Sequence, residues 1–279
     1  MTKHLLKITS ASLLALAIAA CSPKREAVTT PTETPPPAPA APAAPAAPDY
    51  AAIVADPARL VTDTAKDPNR KPAELLAFAK IMPGQTVLDM EAGAGYSTEL
   101  LARAVGPTGK VIMQQPKEFS GFYQKDIDAR LANNRLPNVT QSFSMFDKME
   151  PATGSVDVVT WFQGPHELFC KKACSNDKGQ ALPMGEPAAV FAEIARVLKP
   201  GGTLVIIDHV AAQGSPTTSG NDLHRIDPLQ IKAMATAANF ALEEESDLFK
   251  NPADDHKLGV FDDKIKGKTD QVLLRYKKP

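Results

Sequence analysis

From Gln85 onward, apolar positions come in short, nearly continuous runs, separated by stretches in which they recur every three or four residues. The runs "QTVLDM", "KVIMQQP", "NVTQSFSMF", "VDVVTWF" and "TLVIIDHV" are rich in β-branched residues, as strands buried on both faces of a sheet require. Between them "STELLARAV", "FYQKDIDARLAN" and "EPAAVFAEIARVLKPGG" carry helical spacing, and Gly106 with Pro107 supplies the stop for the first. "PAELLAFAKI" adds a helix before the first strand. "DPLQIKAMATAANF" opens another, with Asp227 as N-cap and Pro228 at the first helical position. "ALEEESDLF" and "TDQVLLRYKKP" bring the strands to seven. This alternation predicts an α/β fold with a doubly wound, mostly parallel seven-stranded sheet.

Before Tyr50 the pattern changes. Lys3 and Lys7 precede an apolar run from Ala11 to Ala20, too short to span a bilayer and built like a secretory signal. It ends in "IAAC", which resembles a bacterial lipobox, where cleavage leaves the cysteine as the lipid-bearing first residue. Residues 1–20 are therefore expected to be a lipoprotein signal peptide and Cys21 the site of lipidation. By the rule for such lipoproteins, Ser22 directs the chain to the outer membrane, facing the periplasm. A residue carrying more than one acyl chain suits retention there, because a single chain binds only marginally. Residues 21–50 are mostly Pro, Ala and Thr, an extended solvated tether reaching about 3 Å per residue. Residues 51–279 are long enough for one α/β domain with a substantial core. The formal charge of −1 becomes −3 once Lys3 and Lys7 are gone, and with no basic stripe and few aromatics a nucleic-acid partner is excluded. Cys170 and Cys174, four apart in an oxidising compartment, either close a small disulfide loop or stay as thiols; a metal pair would need further ligands that the neighbouring sequence lacks.

The stretch "VLDMEAGAGYSTELLA" runs from strand through glycine turn into helix, a layout that seats a nucleotide-like ligand. With "SVDVV" and "VFAEIARVLKPGGTLVIIDH" in the same order and at the expected separations, it resembles the class I S-adenosylmethionine-dependent methyltransferases. More narrowly, "IDH", "LHRID", "NPADD" and "VFDDKIKGKTDQVLLRYKKP" are similar to a bacterial family of predicted methyltransferases, often exported. The resemblance covers about residues 70–279. It implies a Rossmann-like methyltransferase fold whose last strand is antiparallel and inserted between its neighbours, and S-adenosylmethionine as cofactor.

On that resemblance Asp89 ends the first strand, and Gly93 and Gly95 let the backbone approach the methionine end of the cofactor. Glu91 stands where the family carries glycine: its carboxylate either pairs with the cationic amino and sulfonium groups or crowds the pocket. After the second strand many such enzymes bind both ribose hydroxyls with an acid, and this chain has Gln114 and Gln115, amides without charge-assisted strength. Asp147 is the nearest adenine-side acid, or a plain loop acid.

Ligands in open α/β sheets sit beyond the carboxyl ends of the strands, which singles out His166 in "FQGPHEL" and Asp208 and His209 in "DHV". "LHRID" adds His224 and Arg225 as further candidate catalytic residues, each also readable as a structural hydrogen bonder; Asp227 is better explained as a cap. Methyl transfer mainly requires alignment of an acceptor, with a base only where the acceptor carries a proton. "QGPH" lacks the Asn-Pro-Pro-Tyr type clamp of adenine- and glutamine-directed enzymes, so the expected acceptor is another small molecule. S-Adenosylmethionine is polar and held back by a bilayer, which conflicts with a periplasmic site. The alternative is a non-catalytic periplasmic binding or envelope interaction protein that kept the fold. Metal-dependent hydrolysis by His166, Asp208 and His209 lacks a defined ligand spacing, and no metal site is expected.

Overall fold

A computed structural model describes residues 46–170, 182 and 184–279. The signal peptide, Cys21, nearly all of the tether and Cys174 lie outside these described residues. Seven strands form one sheet: β1 (Thr86–Met90), β2 (Lys110–Gln114), β3 (Val139–Ser142), β4 (Val156–Phe162), β5 (Leu198–His209), β6 (Ala241–Ser246) and β7 (Gln271–Lys277). Their order is β3-β2-β1-β4-β5-β7-β6. The first five pair in parallel, whereas β7 lies antiparallel between β5 and β6, the insertion that the family resemblance implies.

The apolar runs divide between the two faces by the two-residue period of a strand. Leu88, Val159, Leu204 and Ile206 belong to one core cluster, with Val190, Phe191 and Ile194 of α7 (Pro187–Val197) and Ile231 of α9 (Pro228–Ala237). Val87, Val111, Val158 and Val205 belong to the other, with Leu76 of α4 (Pro72–Phe78) and Leu100, Leu101 and Val105 of α5 (Tyr96–Val105). Both faces are thus covered, which explains why the strands read as continuous rather than alternating.

Three boundaries differ from the sequence pattern. β3 ends at Ser142, earlier than "NVTQSFSMF" suggests, and only an isolated bridge between Met145 and Lys148 follows. β5 begins at Leu198 and runs through the Lys-Pro-Gly-Gly stretch that the sequence pattern assigns to the end of the preceding helix, because Leu198 pairs with Val156 across a register shift in that ladder. Short helices α1 (Tyr50–Val54), α2 (Val61–Thr64) and α3 (Asp67–Arg70) precede α4, too short to carry a period. β6 is an exposed edge whose Glu243 and Glu244 bond Arg275, charges of the kind that blunt a sheet edge.

The turn after β1 is anchored from below. Arg130 of α6 (Lys117–Leu131) is 2% exposed, donates from Nε to the Ala94 carbonyl at 2.7 Å and pairs with Glu99 and Asp63 at 2.6 and 2.7 Å. Gly95 sits at φ +82°, and a Cβ there would stand 2.9 Å from Arg130 Cδ, so only glycine allows the approach.

Candidate functional site

The carboxyl ends of β1, β4 and β5 open into a cavity of about 440 Å³, at the point where the strand order reverses between β1 and β4. One end is formed by the glycine turn. Asp89, Glu91, Gly93 and Gln115 line it, with Tyr96, Tyr123 and, from the N-terminal segment, Lys66, Asn69 and Arg70. The other end holds His166, Glu167, His209, His224 and Phe261.

Asp89 is 2% exposed, and its two oxygens accept from Thr98 Oγ1 at 2.6 Å and Thr160 Oγ1 at 2.8 Å, tying α5 to β4. Burial pushes its pKa to about 6 against the pull of those two hydroxyls. Gly93 has φ +54°, and the Tyr123 ring is the nearest group to the position of a Cβ, at 3.8 Å. Gln114 and Gln115 leave β2 on opposite sides. Gln114 donates from Nε2 to the Ser144 carbonyl at 2.7 Å and accepts from the Glu91 amide at 3.2 Å, so it braces the turn rather than lining the cavity. Gln115 is 3% exposed, and neither its Nε2 nor its Oε1 has a hydrogen-bond partner among the described residues. An orphaned buried amide on a cavity wall suits a polar ligand.

Glu91 adopts φ +52°, and its Oε2 accepts from the indole Nε1 of Trp161, the only tryptophan, at 2.9 Å. Trp161 is itself fully buried between Phe146 and Phe191. Gly164 makes this contact fit, because a Cβ there would lie 1.8 Å from Trp161 Nε1 and 2.3 Å from Glu91 Oε2. Burial raises the Glu91 pKa well above the ordinary carboxyl value, the facing Glu167 carboxyl adds to the rise, and the Trp161 hydrogen bond only partly opposes it. The magnitudes agree: a buried ion costs several kcal/mol, and one indole donor returns about 1–3. Glu91 therefore takes up a proton more readily than an exposed carboxyl does.

At the far end, a 3-10 turn, Pro165–Phe169, follows β4 and presents His166 and Glu167. Fully buried Asp208 accepts from the His166 backbone N–H at 2.7 Å, and its other oxygen meets His166 Nδ1 at 2.7 Å. This fixes the imidazole with Nε2 toward His224 Nδ1, 3.3 Å away. Burial lowers the His166 pKa, but the Asp208 charge and hydrogen bond outweigh it and leave it raised. Burial carries His209 and His224 down to about 4, so both are neutral at pH 7. His209 Nδ1 meets Thr269 Oγ1 at 2.7 Å. His224 holds a left-handed backbone at φ +52°, and its ring meets the edge of Phe261 at 4.9 Å.

Several residues that the sequence offered are placed elsewhere. Asp208 stands behind His166 and orients it, outside the cavity lining. Arg225 is fully buried and donates to Asp254, Val210 and Leu258, so it clamps the loop beside His224. Gly95 faces Arg130, not the cavity, and Asp147 is exposed and lies away from it, its Cβ beside Gly185. Asp227 caps α9, accepting from Leu229 N at 2.9 Å, as its sequence context predicts. Cys170 is buried and disulfide-bonded, and Cys174 lies outside the described residues. Glu167, Trp161, Gly164 and Tyr123 were not singled out from sequence; the Gly-Pro step after β4 and the acid next to His166 were the available signals.

The raised Glu91 pKa has a stability consequence. A carboxyl whose folded pKa exceeds its unfolded value of 4.5 makes the fold less stable as pH rises above 4.5 toward the raised value. Glu91→Gln keeps an acceptor for Trp161 and cannot ionise. Its urea midpoint relative to wild type, followed by Trp161 emission, should climb as pH increases over that range. A difference that stays flat with pH would mean that Glu91 is ionised in the fold.

Comparison with known proteins agrees with this geometry. A family model described as "Methyltransferase domain" matches residues 81–251, more than half of the chain. An arsenite methyltransferase of Halobacterium salinarum is 33% identical over 141 residues, 50% of this chain and 31% of its own length. A ubiquinone/menaquinone biosynthesis C-methyltransferase of Saccharophagus degradans is 25% identical over 197 residues, 70% of this chain and 69% of its own. For the first curated relatives it matches, the chain spans only 30–45% of their length. The fold matches that of a SAM-dependent methyltransferase from Aquifex aeolicus with a TM-score of 0.54 at 19% identity, covering 83% of this chain and 99% of that one. It also matches an arsenic(III) S-adenosylmethionine methyltransferase from Chlamydomonas reinhardtii with a TM-score of 0.51 at 20% identity, covering 83% and 73%. With its seven-stranded sheet, inserted antiparallel strand and glycine turn, the chain belongs to the methyltransferase-domain family and has the class I S-adenosylmethionine-dependent methyltransferase fold.

Proposed function

We propose that this protein transfers a methyl group from S-adenosylmethionine to a small-molecule acceptor. The observation that carries the reading is a single cavity that joins the glycine turn and the orphaned Gln115 amide at one end to an imidazole cluster at the other. S-Adenosylmethionine supplies an electrophilic methyl on a cationic sulfur. The residues fit its binding. Gly93 leaves the backbone bare, Gln115 offers a donor and an acceptor to sugar hydroxyls, and Lys66 and Arg70 place positive charge at the rim for a carboxylate. A Glu91 carboxyl whose pKa is raised repels that carboxylate less than an ordinary one would. A cation brought beside Glu91 favours its charged form, so the site gives up a proton as it fills. On the acceptor side, Asp208 holds the His166 ring in one orientation, and the neutral His209 and His224 offer nitrogen to a proton-bearing acceptor.

The protein is further proposed to act at the cell envelope. The lysine pair, short apolar run and "IAAC" order support lipidation at Cys21, with the outer membrane as destination. Mass spectrometry of protein taken from its native membrane should find a mature chain that starts with acylated Cys21. An unmodified Cys21 within a longer chain, or cleavage elsewhere, would contradict the anchor.

Calorimetry of the full-length protein in buffers of differing ionisation enthalpy tests the activity reading. S-Adenosylmethionine should bind with proton release, and its neutral thioether product with less. Gly93→Val should weaken both by at least about tenfold, or 1.4 kcal/mol. Glu91→Gln should weaken S-adenosylmethionine more than the product. Failure of either ligand to bind would favour a non-catalytic protein that kept the fold, and equal weakening by Glu91→Gln would remove any charge role for this residue.

A further inference from the structure

We propose that His166, Glu167 and His224 form a binding site for one divalent transition-metal ion, with its open positions toward the cavity. Their ligand atoms lie within 4.8 Å of one another. His166 Nε2 and His224 Nδ1 are 3.3 Å apart. That is long for a hydrogen bond. Two nitrogens bound at 2.0–2.1 Å to a tetrahedral ion stand about 3.3–3.4 Å apart, the separation seen here. Glu167 Oε1 is 4.0 Å from His166 Nε2, and a small side-chain rotation brings it to ligand spacing. Its Oε2 is buried, and the carboxyl also faces that of Glu91.

The surroundings have the form that metal sites use. A ligating histidine ordinarily gives its other ring nitrogen to a carboxylate, which fixes the ring and strengthens the ligand. Asp208 does this for His166: it is fully buried, meets Nδ1 at 2.7 Å and also accepts the backbone N–H groups of His166 and His209. His224 is held by its left-handed backbone and by Phe261, with Arg225 locking the loop next to it. Two imidazoles and one carboxylate with room for a further ligand is the donor set of catalytic zinc sites and of ferrous sites. Sequence spacing hides it, because His166 and Glu167 are adjacent and His224 comes from a distant loop.

Binding of the ion does not depend on the methyl-transfer reading; its use does. A divalent ion here would hold an acceptor oxygen and make its proton easier to lose, so the acceptor class is a molecule with a hydroxyl or enol oxygen able to bind a metal. Full-length protein stripped with a chelator should take up one Zn²⁺ per chain by calorimetry, and Co²⁺ should give a visible ligand-field band. His224→Ala and Glu167→Gln, at half-buried positions, should each weaken Zn²⁺ at least tenfold while circular dichroism stays that of wild type. Asp208→Asn should weaken it about 10–100-fold. No stoichiometric uptake of Zn²⁺ or Co²⁺ would overturn the proposal, as would uptake undiminished in both His224→Ala and Glu167→Gln. S-Adenosylmethionine affinity measured on the same metal-free protein separates this failure from failure of the methyl-transfer reading.

Discussion

A carboxyl group sealed under the only tryptophan sets the shape of this site. Glu91 occupies a turn position where the family resemblance calls for glycine, takes a left-handed backbone, and points its carboxyl at Trp161 near the carboxyl end of the central strand β4. No buried cation is bonded to it among the described residues, so desolvation raises its pKa. The neighbours follow from that choice. Gly164 must lack a side chain, and Gln114 must turn inward to accept the Glu91 amide. The residue that looked like damage to a cofactor turn is therefore built into the wall between the two ends of the cavity.

That wall gives the cavity its division of labour. Toward the glycine turn the lining is bare backbone, an unpartnered amide and a cationic rim, fitted to a polar ligand with both signs of charge. Toward β4 and β5 it is imidazole backed by buried carboxylate. A carboxyl whose pKa burial raises stands between them. Such a group costs little while the site is open and becomes a charge partner when a sulfonium is near, which favours the charged donor over its neutral product.

Much of the fold was legible because its determinants are local. Val87 to Met90 followed by a glycine turn, the Gly106-Pro107 stop and the Asp227-Pro228 cap each state their conformation within a few residues, and the structure agrees. The position of β7 came from the family resemblance, since alternation does not record strand order. The site was legible only in part. The strand-end rule found His166 and His209, and "LHRID" added His224, but neither says which neighbour each meets. Adjacent Gln114 and Gln115 must face opposite sides, and nothing local says which one reaches the cavity. Arg225 reads as a reactive cation until Asp254 is found beside it, and Glu167 carries no signal of its own until the 3-10 turn brings it to His224. In each case the deciding partner lies in another part of the chain.

The central claim is that one cavity serves both cofactor and acceptor, and a crystal structure of the protein with the demethylated product of S-adenosylmethionine tests it most directly. The product should lie in the 440 Å³ cavity, with the Gly93 backbone against its methionine end, the Gln115 amide on its ribose hydroxyls and its sulfur toward Glu167 and His166. A product bound elsewhere, or one whose sulfur points away from the imidazole cluster, would contradict it.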